Sequence, residues 1–136
     1  MVDEVRLLRL LRAVTDDLSF LRVEAGADEQ RRADPMWLRG VKYTYVTAIE
    51  ACVDAGQHVC AAQGWGPPRD NGHVMILLAE HRVLDADLAG RVRQAVGFRN
   101  ILVHDYIDVD DAVVVARLAD LSDLDDFVAA LAHLTR

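Results

Sequence analysis

Apolar side chains recur at steps of three and four along almost the whole chain, a period that fits helices and little else. In the first segment the recurring residues are Leu7, Leu11, Val14, Leu18 and Leu21, and Asp3 stands where an N-cap belongs. The pattern predicts a helix over about 3–24. The polar stretch from Gly26 to Asp34 reads as a connection. Asp34-Pro35 then joins a capping acid to a proline at the first helical position. The stripe Leu38, Val41, Tyr45, Ile49, Cys52, Val59 carries a long helix over about 35–62. Gly40 and Gly56 lie inside it, and each weakens a helix by about 1 kcal/mol. Close packing against a neighbour is the expected reason for both.

The clearest break runs from Gly64-Trp65-Gly66-Pro67-Pro68 to Asn71-Gly72. A short helix over about 73–82 follows, with Val74, Leu77, Leu78 and His81 on one side. Asp85 caps another over about 86–103, and the chain then turns through Tyr106-Ile107-Asp108-Val109. A last helical region begins near Asp110 and is re-capped at Ser122, with Leu124, Phe127, Val128, Leu131 and Leu134 as its apolar face. Val113-Val114-Val115 has strand character, but its flanks are helical and no partner strand is visible, so it reads as helix. The expectation is an all-α bundle of four main helices plus short pieces.

With 136 residues the chain has the length of a single domain, 1–136. A chain of that length buries roughly two-thirds of its unfolded surface and needs neither metal nor disulfide for a core. Cys52 and Cys60 share one predicted helix and stand about 12 Å apart along it, too far for a bridge, so both read as small core residues. The 15 basic and 22 acidic side chains give a net charge of −7. That excludes nucleic-acid binding through overall charge and confines any RNA contact to a local patch. No apolar run approaches the ~18 residues of a membrane span. The start, MVDEVRLLRLLR, places acids first and spreads arginines through its apolar part, unlike a signal peptide. The expected location is the cytoplasm.

Several chemistries are absent from the pattern. No glutamate has a histidine three residues on, so the Glu-x-x-His pairs of di-iron bundles are missing. Gly64-Trp65-Gly66 follows a helix rather than a strand and is no phosphate loop. His58, His73, His81 and His133 share no ligand spacing and read as surface or core-edge residues, so no metal site is expected.

One segment stands apart. Arg99 falls in the apolar stripe that runs from Leu88, Val92 and Ala95 to Leu102. An arginine there either has a partner for its guanidinium or snorkels to an edge near the helix end. Asn100 and His104, four apart, share a helix face, whereas Arg99 and His104 are separated by about 140° around an ideal helix. The set still contains what phosphodiester cleavage needs without a metal. A histidine moves protons near neutrality, an arginine fork holds a phosphate and its developing charge, and an amide orients either one.

The string Phe98-Arg99-Asn100-Ile101-Leu102-Val103-His104-Asp105-Tyr106 resembles the R-x4-H-x-Y motif of HEPN-domain proteins, and most nearly their HepT branch. Length, helical pattern and the late position of the motif agree, so the resemblance covers nearly the whole chain. It implies an HEPN-type antiparallel helical bundle of four main helices plus short ones. It implies a homodimer with the active cleft between subunits, where residues 140° apart on one helix can be gathered. It implies a toxin of a toxin–antitoxin module that cleaves RNA without metal or cofactor, by attack of the 2′-hydroxyl to leave a 2′,3′-cyclic phosphate. His104 then moves the proton, Arg99 stabilises the phosphate, and Asn100 positions one or both. The implied antitoxin is an MntA-type nucleotidyltransferase that transfers AMP to Tyr106, blocking the cleft and adding negative charge beside Arg99. Arg39 and Lys42 on the second helix, and Arg91 and Arg93 ahead of the motif, are weaker candidates for RNA contact. Asp105 either tunes His104 or caps the helix. The alternative reading is a non-catalytic HEPN module that binds a nucleotide or its partner enzyme. A third is an unrelated bundle carrying the motif by accident.

Overall fold

The computed structural model describes residues 2–135; Met1 and Arg136, the two ends of the expected 1–136 domain, lie outside the described residues. Aspartate caps mark most of the helix starts. Asp3 accepts from the Arg6 amide at 3.1 Å and opens α1, Glu4–Ala25. Its stripe of Leu7, Leu11, Val14, Leu18 and Leu21 is buried as the spacing requires. Asp34 accepts from the Met36 amide at 2.9 Å, with Pro35 in the first turn, and opens α3, Pro35–Gln63. α3 ends at Gly64, whose left-handed φ of 74° suits glycine at a helix C-terminus. The connection before it is not fully irregular. Asp28 accepts from the Arg31 amide and forms the single turn α2, Glu29–Arg32.

Asp70 opens α4, Asn71–Glu80, by accepting from the His73 amide at 2.7 Å, so the helix begins ahead of its expected start. Asp85 opens α5, Ala86–His104, by accepting from the Leu88 amide at 2.7 Å. A 3-10 turn, Tyr106–Asp108, leads to α6, Asp111–Ala116, a second 3-10 turn, Arg117–Ala119, and α7, Ser122–Ala132. The three valines Val113–Val115 are helical, as expected from their flanks. Ser122 is not the cap of α7. It is the first helical residue, and its amide donates to Asp120 Oδ1 at 2.9 Å, so the acid two residues earlier does the work assigned to the serine. His81 also departs from expectation. It is exposed at the end of α4 and stacks parallel to Trp65 at 4.0 Å instead of joining the apolar side.

α3 lies at the centre, touching α1, α4, α5 and α7. One continuous cluster of buried side chains joins these helices. The two glycines of α3 behave differently. A Cβ on Gly56 would sit 2.7 Å from Val74 Cγ1 and 3.2 Å from Leu78 Cδ1, so its bareness lets α4 lie directly on α3. Gly40 has open space around it, and close packing does not explain it. Cys52 and Cys60 are unpaired and buried, and burial pushes both thiols up from their ordinary value. Among the described residues no helix is long and apolar enough to cross a membrane.

Candidate active site

α5 turns Leu88, Ala89, Val92, Ala95, Val96 and Leu102 into the core. Its opposite face carries Gly90, Arg93, Gln94, Gly97, Asn100 and His104, which with Arg99 and Asp105 line one side of an open groove of about 910 Å³. Asp70, Asn71 and Gly72, at the start of α4, form the facing wall. Gly90 and Gly97 have nothing within 4 Å of the position a Cβ would take, so two stretches of the groove wall on α5 are bare backbone. Arg99 and His104 thus reach a common groove within one chain, despite the 140° between them on an ideal helix.

Arg99 keeps its place in the apolar stripe by finding a partner. Its Nη2 donates to Glu50 Oε1 on α3 at 2.5 Å, and its Nε donates to the same oxygen at 3.2 Å. Nη1 donates to Asn100 Oδ1 at 3.0 Å. The guanidinium is mostly enclosed, with the Arg99 side chain 18% exposed and that of Glu50 44%. Phe98, one residue before, packs its ring edge-on to Tyr45 of α3 at 5.4 Å and takes the Arg117 guanidinium over its face at 4.8 Å. These contacts fix α5 against α3 where the motif begins.

His104 occupies the last turn of α5 and is exposed on the groove. The helix ends at Asp105, whose amide donates to the Ile101 carbonyl at 3.0 Å and whose carbonyl receives the Asp108 amide at 2.9 Å. Tyr106 sits on the turn that follows, 69% exposed, beyond the residues that line the groove.

The weaker cationic candidates separate. Arg93 lines the groove. Arg91 points elsewhere and is held by Asp87 at 3.0 Å and Asp126 at 3.2 Å. Lys42 is paired with Asp111 at 2.8 Å, and neither it nor the exposed Arg39 lines the groove. Two of the other histidines accept backbone hydrogen bonds. His58 Nε2 accepts from the Asp3 amide at 3.1 Å, and His73 Nδ1 accepts from the Arg69 amide at 3.0 Å. Glu50 was not visible as a site residue in sequence; the one signal was that an arginine in an apolar stripe needs either a partner or an edge. Glu50 also lines a side cavity of about 210 Å³ with Asp54, Gln57 and Asn71, which meets the groove at Arg99 and Asn71.

Comparison with known proteins gives the family and the fold. An mRNA nuclease HepT from Shewanella oneidensis is 34% identical over 80 residues, 58% of this chain and 60% of that protein. A putative RNase from Archaeoglobus fulgidus is 30% identical over 95 residues, 70% of this chain and 71% of that protein. The fold is shared with the tri-AMPylated Shewanella oneidensis HEPN toxin solved in complex with its MNT antitoxin. That structure superposes with a TM-score of 0.87 at 23% identity, covering 98% of this chain and 99% of the other. A model of the ribonuclease HepT-like family matches residues 7–131, nearly the full length, and the chain belongs to that family.

Proposed function

We propose that this protein is a metal-independent endoribonuclease and the toxin of a toxin–antitoxin module, acting in the cytoplasm as a homodimer of the 1–136 domain. The observation that carries the reading is the groove on α5 where Arg99, Asn100 and His104 converge. The nuclease names of the two relatives support cleavage of RNA.

In this reading an RNA strand lies along the groove with a phosphate at Arg99. The 2′-oxygen bonds to phosphorus, the P–O5′ bond breaks, and a 2′,3′-cyclic phosphate remains. A proton leaves the 2′-hydroxyl and one arrives at the 5′-oxygen; His104 is the group that moves them. Arg99 carries the charge that builds on the phosphoryl oxygens, and Asn100 holds Arg99. Arg93 is the best placed of the further cations for a neighbouring phosphate, while Arg39, Lys42 and Arg91 are reached only by a longer strand. The groove lining is charge-balanced, Arg93 and Arg99 against Asp70 and Asp105, so phosphate contact falls to the individual arginines and not to a broadly cationic cleft.

The partner in this reading is an MntA-type nucleotidyltransferase antitoxin, and Tyr106 is the AMP acceptor. Its hydroxyl stands free at the end of the motif helix, where a transferase can reach it. The AMP groups on the similar Shewanella toxin, solved with its MNT antitoxin, support AMP transfer by such a partner. The reading is tested by expressing the protein without a partner beside Arg99→Ala and His104→Ala. Both substitutions are expected to abolish growth inhibition and RNA cleavage while the helical circular dichroism stays unchanged. Undiminished toxicity in both variants contradicts it.

A further inference from the structure

We propose that Glu50 is a positioning residue, which presets the Arg99 guanidinium so that its free edge faces the phosphate; the proposal rests on the nuclease reading of the groove. A guanidinium has five N–H donors. Glu50 Oε1 takes Nε–H and one N–H of Nη2, and Asn100 Oδ1 takes one N–H of Nη1. Two donors are left, one on each terminal nitrogen. A two-pronged contact with two oxygens of one phosphate needs one donor from each terminal nitrogen, and that number remains.

The two anchors differ in what they contribute. Asn100 is adjacent to Arg99 on the same helix and moves with it. Glu50 lies on α3, 49 residues away, and ties the guanidinium to the central helix of the core. An arginine side chain has many rotamers, and fixing it before RNA arrives removes an entropic cost from the reacting complex. Two of the five donors are left unclaimed by Glu50 and Asn100, so the pair holds the arginine without using up its donors.

A counter-ion that merely satisfied a charge would behave differently from one that aims it, and the tests separate the two. Glu50→Ala, Glu50→Gln, Arg99→Ala and the double variant Glu50→Ala/Arg99→Ala are compared on an RNA substrate. Glu50→Ala is expected to lower kcat on the order of 10–100-fold, with a smaller change in KM. Glu50→Gln keeps an acceptor oxygen at the same reach and is expected to recover part of the loss. In the Arg99→Ala background, where cleavage is lost, the Glu50→Ala change is expected to leave the affinity for an uncleavable 2′-O-methyl RNA unchanged, because Glu50 acts through Arg99. A further loss of affinity in that background overturns the proposal, as does a Glu50→Ala variant as active as the parent or more so.

A readout that needs no cleavage keeps the proposal apart from the nuclease reading. The Arg99 Nε–H resonance is followed by NMR during titration with a 2′-O-methyl RNA 10-mer. A distinct signal in the parent that shifts with the RNA, and is averaged away in Glu50→Ala, supports presetting even if the parent proves unable to cut RNA. A signal unmoved by the RNA, or unaltered by Glu50→Ala, overturns it.

Discussion

At the residue scale, the side chains that matter most are those whose polar groups had to be settled inside an apolar surface. Arg99 is the clearest case. Its position in an apolar stripe was legible, but the choice between a partner and an edge was left open, and Glu50 was not visible. The two are 49 residues apart, and no local period reports which faces of two helices will meet. Tyr45 is the opposite case. Its ring is 1% exposed, and its hydroxyl is buried with no hydrogen-bond partner among the described residues. Burial pushes the phenol well above its ordinary range, so it stays neutral. Tyr45→Phe removes an unsatisfied group and is expected to be neutral or stabilising by up to about 1 kcal/mol in urea unfolding. A loss of about 2 kcal/mol or more would mean that the hydroxyl is satisfied after all. The glycines of α3 give a second contrast. Gly56→Ala forces a methyl into Val74 and is expected to cost about 1–3 kcal/mol, whereas Gly40→Ala meets open space and is expected to gain about 0.5–1 kcal/mol. Equal effects at the two positions would contradict the packing of α4 on α3.

At the element scale, the helices follow from caps and stripes that sequence displays openly. Asp3, Asp34 and Asp85 start helices where the pattern placed them. What was obscured has local causes. α2 is four residues long, too short to show a period. The break between α6 and α7 is a 3-10 turn after three valines, and Asp120, not Ser122, supplies the acceptor there. The join between α1 and α3 was equally hidden. Arg31 donates to both oxygens of Glu24 at 2.6 and 2.7 Å, and the Trp37 indole donates to Glu24 Oε1 at 2.9 Å. The hydrogen bond from Arg31 is the main cause that holds the Glu24 carboxyl below the usual value of 4.5. A carboxyl lowered on folding adds stability above its unfolded pKa and loses it as pH falls through the folded value. Glu24→Gln is therefore expected to flatten the stability profile on the acid side of pH 4.5, relative to the parent. Parallel urea-unfolding profiles of the two proteins from pH 6 to about 3 would show that the join carries no such stability.

At the scale of the whole molecule, a net-acidic bundle presents one groove that gathers the motif of α5 against the start of α4. The all-α class and the motif were legible because both are short-range patterns in one chain. The groove was not, because its facing wall comes from Asp70–Gly72, which sequence showed only as part of a break. The groove is open, and the proposed dimer would set a second copy of the chain against it. The central claim is that this groove cuts RNA without a metal through His104. The measurement that tests it most directly is cleavage of total cellular RNA in EDTA by protein made without a partner, with His104→Ala alongside. An intact mass first establishes that Tyr106 carries no AMP. Cleavage by the parent alone, leaving 2′,3′-cyclic phosphate ends, is the expected result. No cleavage by unmodified parent, or equal cleavage by His104→Ala, would contradict it.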